Sequence, residues 1–263
     1  MSTLYDALLE TAQLCGIMRS GLTTSAGTAT TLIDTTAYET DDYFNNGTLF
    51  IRSGTYANTT KRITDYVQSS GVITFTPACV GDGPVAGVYY SVTNARREAL
   101  TQAINQALLF MGEYTTLDET LTVTDNATEY TLPAGVNSVK RIEVYTASSS
   151  PYGFNPITAW REIGGKIYLP SELSHNSGNV IRLYYNKFHD AVNGDADTIS
   201  DHFNLKRLAW TATYMFHLNR MQYSGNSDER ENILLANAQQ QSERLANAFP
   251  VHHIERDPIL ARW

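Results

Sequence analysis

The stretch NARREALTQAINQALLFMG, residues 94–112, decides how the whole chain is read. Ala99, Leu100, Ala103, Ile104, Ala107, Leu108 and Met111 recur at helical spacing and form one continuous apolar stripe. Asn94 is a residue type that caps helix N-termini and Gly112 marks a stop, so a helix is predicted over 94–114. On either side the composition changes. Residues 22–92 are rich in Thr, Gly, Tyr and Val, with predicted strands at Thr30–Asp34, Gly47–Arg52, Lys61–Tyr66, Val72–Phe75 and Val88–Val92. The turn clusters Asn45-Asn46-Gly47, Ser69-Ser70-Gly71 and Gly81-Asp82-Gly83-Pro84 punctuate them, as in a small barrel or sandwich.

Farther out the alternation repeats. Leu4, Ala7, Leu8, Thr11, Ala12, Cys15 and Met18 predict a helix over 3–19, weakened by Gly16 and ended by Gly21. A second β block is predicted over 119–187, with strands at Leu121–Val123, Glu129–Leu132, Val139–Thr146, Trp160–Ile163, Lys166–Leu169 and Val180–Tyr185. Gly164-Gly165 is its hairpin signal. Two helices follow, over 202–222 (capped by Ser200 or Asp201) and over 228–248 (opened by Ser227, Asp228 and Glu229, closed by Pro250). The expected class is α+β. About four helices form a bundle from 1–21, 94–118 and 202–249, two antiparallel β blocks are inserted at 22–93 and 119–201, and 250–263 is an extended C-terminal tail.

The 263 residues are 42% hydrophobic and 11% aromatic, which excludes a chain too polar to collapse. The formal net charge of −8 argues against a dedicated nucleic-acid binder, yet it suits an acidic wall past which DNA slides without sticking. Cys15 and Cys79 are expected to be free thiols. No signal peptide opens the sequence and no run is long enough to span a membrane, so folding in a cytoplasm is expected. The sequons at Asn46, Asn58 and Asn126 then mark only surface loops.

Phosphate-loop, dinucleotide, nucleophile-elbow and zinc-protease motifs are all missing, so no enzyme, no cofactor and no metal is expected. The adjacent pair His252-His253 is a tail feature rather than a ligand set. Asp190, Asn193, Asp195, Asp197 and Asp201 could offer oxygens to calcium, but their spacing is not that of an EF-hand and a polar loop is the plainer reading. Arg96 and Arg97 open a helix, where the dipole disfavours cations, and so form a candidate interface pair; Lys140 and Arg141 make a second basic pair. Tyr145, Trp160, Tyr184 and Tyr185 could make a sugar platform or belong to the core. Glu143 and Glu162 could serve as a glycosidase pair, although nothing fixes their separation.

Taken together, the layout resembles the tailed-bacteriophage head-to-tail connectors, in particular the adaptor that docks under the portal. The likeness rests on the amphipathic helix beginning near Met1 and on the helix from Asn94 through Arg96, Arg97, Ala99, Leu100, Ala103 and Ile104 to Leu109. It rests also on the β insert with Gly47–Arg52 and Gly71–Phe75, and on two closing helices followed by the tail His252–Trp263. The resemblance implies a structural virion protein of the neck, assembled in the host cytoplasm. It would form a homo-oligomeric twelve-fold ring around passing double-stranded DNA without binding it specifically. Its partners would be the portal and the tail or nozzle proteins, with no membrane. The tail residues Ile254, Arg256, Ile259, Leu260, Arg262 and Trp263 are the expected portal-docking element, since an exposed tail ending in apolar anchors invites association. The second β block departs from the simplest adaptors. A receptor- or carbohydrate-binding module of a phage tail or baseplate is the alternative.

Overall fold

A computed structural model describes residues 1–145, 153–170, 177–224 and 229–251. In chain order its elements are β1 (Ser2–Thr3), α1 (Leu4–Leu14), β2 (Met18–Leu22), β3 (Thr31–Ile33), β4 (Thr48–Ile51), β5 (Thr59–Val67), β6 (Val72–Thr76), β7 (Tyr89–Thr93), α2 (Arg97–Met111), β8 (Tyr114–Thr122), β9 (Glu129–Thr131), β10 (Ser138–Tyr145), β11 (Phe154–Ile157), β12 (Arg161–Ile163), β13 (Lys166–Tyr168), β14 (Val180–Lys187), β15 (Thr198–Ile199), α3 (Leu205–Ser224) and α4 (Glu229–Ala248).

The expectation of a helical bundle carrying two inserted β blocks is corrected. Among the described residues the fold is mixed α/β, with four helices and four sheets and about 32% strand against 28% helix. The physical reason is where the apolar side chains go. Each β block builds its own core, so neither is an appendage of the helices. Leu32, Leu49, Ile51, Ile63, Tyr66, Ile73, Phe75, Tyr90 and Val92 cluster in the first. Val139, Ile142, Val144, Trp160, Ile167, Ile181 and Leu183 cluster in the second. Full burial of one such aliphatic side chain is worth about 1.5–3 kcal/mol.

Contacts divide the chain into two compact units. Met1–Met111 with Asp190–Pro250 make the first, and Gly112–His189 lie in the second. In the first unit, six antiparallel strands run in the order β2-β7-β4-β5-β6-β3. The chain just past β2 bridges back to β3 at Ser25 and Ile33, so the sheet curls until its two ends meet. α1 packs on α2 and α3, and α3 packs on α4. In the second unit, a four-stranded sheet (β11-β10-β14-β8) and a three-stranded sheet (β12-β13-β9) share one core.

Several boundaries move for local reasons. α1 begins at a capping box in which Thr3 Oγ1 accepts the Asp6 amide and Asp6 accepts the Thr3 amide. It stops at Leu14 rather than 19, because Gly16 turns the chain at φ +65° and Met18 then pairs with Thr93. α2 starts at Arg97, with the Arg96 carbonyl taking the first helical amides, so Asn94 is not its cap. Residues 114–118, expected in the helical core, belong to β8; Gly112 at φ +91° ends α2 before them. Asn204 Oδ1 accepts the Arg207 amide and caps α3 in place of Ser200 or Asp201. Ser227 and Asp228 lie outside the described residues.

Inside the first barrel, Asp34 is fully buried and accepts a 2.5 Å hydrogen bond from the Tyr90 hydroxyl and bonds from the Thr36 amide and hydroxyl. Gly21 lets the β2 backbone cross this pair, since a Cβ there would lie 2.7 Å from both Asp34 Oδ2 and the Tyr90 oxygen. Burial pushes the Asp34 carboxyl up, but the Thr36 and Tyr90 hydrogen bonds and the nearby Arg19 outweigh it, so its pKa is lowered. A depressed carboxyl gives stability that is present above the ordinary carboxylate range and lost as pH falls through the folded-state value. Tyr90→Phe removes one of the donors. It should lower stability at neutral pH by about 1–3 kcal/mol and move the acid unfolding midpoint upward, read by thermal melting across an acid pH series.

Candidate functional site

Of the basic pair at the start of α2, only Arg97 is drawn inward. Its Nη2 lies 2.9 Å from Asp195 Oδ1, its Nε donates to Thr60 Oγ1 at 2.9 Å, and it also reaches the Asn193 carbonyl. Asp195 in turn accepts the Thr60 amide at 2.6 Å, and its carbonyl takes the Tyr5 amide. The neighbouring Asp197 carboxylate accepts the Asn193 and Gly194 amides, and its carbonyl takes the Leu4 amide. Those backbone hydrogen bonds hold the Asp197 carboxyl below its usual value. The acidic loop weighed as a calcium site thus satisfies the first amides of α1 and anchors α2. Arg96 remains exposed and is the member of the pair open to a partner.

A cleft of about 770 Å³ lies in the same unit, bordered by Gly16, Arg19, Glu39, Tyr43, His217 and Glu231 among others. His217 is buried, and its Nδ1 is 2.7 Å from Glu231 Oε2. A carboxylate only accepts, so Nδ1 carries the proton, while Nε2 has no hydrogen-bond partner. Arg220 also pairs with Glu231 at 3.2 Å, and Arg19 pairs with Glu39. Cys15 at the cleft edge is buried, and desolvation pushes its thiol up to about 12, which leaves it a protonated packing residue rather than a nucleophile. Cys79 is likewise free and buried. The cleft therefore holds matched charge pairs that fasten α4 to α3. Among the described residues no three His, Cys, Asp or Glu side chains gather as a metal site.

The sugar and glycosidase candidates fall in the second unit. Trp160 and Tyr185 are buried in its core, and Tyr184 lies under the Arg141 guanidinium. Tyr145 is partly exposed against Phe154, so the four aromatics do not form one face. Glu143 is buried and ion-paired to Arg141 at 2.5 Å and Arg182 at 3.6 Å. Glu162 accepts the Val139 amide at 3.0 Å. Both carboxylates hold structure together, and Arg141 of the second basic pair is engaged with Glu143.

Large apolar side chains are exposed on strands and loops of both units, among them Tyr38, Val80, Tyr89 and Ile163, and also on the helices of the first unit. Leu109 and Phe110 on α2 are 57% and 68% exposed, and Ile233 on α4 is 62% exposed. α4 is 20 residues long, yet buries only Ala238 and Ser242. The sequence carried a signal for the α2 pair, because Leu109 and Phe110 fall outside the stripe that ends at Met111. Nothing at sequence level pointed to His217 with Glu231 or to Thr60 with Arg97, which meet only through tertiary folding. The tail residues Ile254, Arg256, Ile259, Leu260, Arg262 and Trp263, and the pair His252-His253, lie outside the described residues. Among the described residues no helix is long and apolar enough to cross a membrane. Neither a protein-family model nor a characterised protein matches the chain.

A double-mutant cycle checks the anchoring node. Arg97→Ala and Asp195→Ala should each cost about 1–3 kcal/mol, because each strands the other partly buried partner. The double variant should cost less than the sum by at least about 0.5 kcal/mol in urea unfolding.

Proposed function

We propose that the chain is a structural virion protein, a ring-forming adaptor that joins a portal to a tail and surrounds the DNA path. The observation that carries this reading is exposed apolar side chains on two separate helices of the first unit, Leu109 and Phe110 on α2 and Ile233 on α4. Head-to-tail rings need two unlike patches on every subunit, one for each neighbour. Exposed apolar side chains such as these are what such a contact would cover. The acidic balance of −8 agrees with a channel past which DNA moves without being gripped. The ion pairs described above give the charged residues structural partners, which favours assembly over chemistry.

In this reading the C-terminal segment is the portal-docking element, with Ile254, Ile259, Leu260 and Trp263 as apolar anchors and Arg256 and Arg262 as pairing cations. Removing a buried aromatic anchor from an interface typically costs about 2–4 kcal/mol. Deletion of residues 252–263 should leave thermal melting of the chain unchanged and abolish capture by purified portal rings. Negative-stain imaging of the full chain with portal should show a ring stacked on it. A full-length chain that stays monomeric and never joins portal would sink the proposal, and a truncated chain that docks with full affinity would remove the tail from it.

A further inference from the structure

We infer that copies of this chain associate by laying α2 of one copy antiparallel along α4 of the next; the inference rests on the assembly reading above. It comes from the match between two exposed helical stripes. On α2, Glu98, Gln102 and Leu109 are exposed, with Phe110 beside them. On α4, Ile233, Gln240 and Arg244 are exposed, with Ala236 beside them. Glu98 to Leu109 and Ile233 to Arg244 are the same separation. At 3.6 residues per turn this is about three turns, so both ends of each stripe fall on one face about 16 Å apart.

The two stripes are chemically complementary in one direction only. Run antiparallel, Leu109 meets Ile233, Gln102 meets Gln240 and Glu98 meets Arg244. Apolar faces apolar, amide faces amide, and opposite charges pair. Run parallel, Glu98 would face Ile233 and Leu109 would face Arg244, which strands a charge against an apolar side chain at each end. Because the two stripes lie on different helices, a copy that offers α2 to one neighbour can offer α4 to another. The occupant of each face is therefore the other face on a second copy.

Charge reversal tests the register. Glu98→Arg and Arg244→Glu each place like charges together at the contact. Each should weaken self-association about tenfold in sedimentation or native mass measurements, alone and on portal, since like-charge juxtaposition in an interface is costly. Both residues are exposed, so both variants should stay folded; Glu98→Arg puts a cation in the first turn of α2 and Arg244→Glu an anion towards the end of α4, so each should lower thermal melting only slightly. The variant carrying both reversals restores the pair with its sign inverted and should recover wild-type assembly. Single reversals without effect, or a double reversal that fails to recover, would overturn the contact; wild-type assembly would then persist and the adaptor reading would stand. A wild-type chain that is monomeric both alone and with portal would overturn the contact and the adaptor reading together.

Discussion

The first unit depends on one carboxylate, that of Asp195. It accepts the backbone amide of Thr60 in β5 and pairs with Arg97 at the first turn of α2, while the same residue's carbonyl takes the amide of Tyr5 in α1. Three elements that are far apart in sequence thus meet at one residue, two at its carboxylate and one at its backbone carbonyl. The arrangement is low in cost because every acceptor position of the carboxylate faces a donor, so little of its lost hydration goes uncompensated. Asp197 repeats the logic on a smaller scale, fixing its own turn and offering its carbonyl to Leu4. With β1 paired to β15 beside it, the loop becomes the seat on which α1 rests. Tyr5 then reaches across, its hydroxyl donating to the Ile51 carbonyl of β4, and burial pushes that hydroxyl up to about 12.

This seat explains why Arg96 and Arg97, neighbours with the same charge, part ways. A cation at a helix N-terminus is disfavoured by the dipole unless an anion offsets it. Arg97 has that anion and is held by it; Arg96 has none in its surroundings and extends to solvent. A pair of adjacent arginines read from sequence alone looks like one feature. The fold makes it one structural residue and one surface residue.

Much of the local structure was legible, and the reason is periodicity. Apart from β8, expected at Leu121–Val123 and found at Tyr114–Thr122, most of the expected strands fall close to their positions because β-branched and aromatic runs between Gly and Asn turns leave few alternatives. Asn46 at φ +64° and Gly71 at φ +64°, where a Cβ would lie 2.1 Å from the Asp34 carbonyl oxygen, show how firmly those turn residues are required. β2 was missed because Met18 and Arg19 continue the apolar register of α1 and reveal themselves as strand only through pairing with β7. β11 was missed because Phe154–Ile157 contains Pro156, which reads as a strand breaker and is tolerated at the sheet edge it occupies. The architecture was misjudged for a different reason. Helical stripes announce themselves in sequence, whereas the cores of the two β blocks are assembled from residues scattered over dozens of positions, and their combined weight cannot be read from spacing.

The same contrast bears on function. In the described residues, charged groups that looked available for chemistry are held by partners: Glu143 by two arginines and Asp195 by Arg97. The apolar groups that looked like ordinary helix content are the ones left without partners. α4 meets α3 through a seam that is largely polar, with Thr211 Oγ1 2.8 Å from Ser242 Oγ, His217 on Glu231, and Arg207 donating to the Phe249 carbonyl. A 20-residue helix fastened by hydrogen bonds and a few half-buried leucines gains little from burial within its own chain, and short isolated helices are marginal in water. Its stability therefore depends on contacts along its length, and its outer stripe is exposed among the described residues. A second surface laid along that stripe would stabilise the helix and bury the apolar end of α2 in one step, which ties the folding of α4 to assembly.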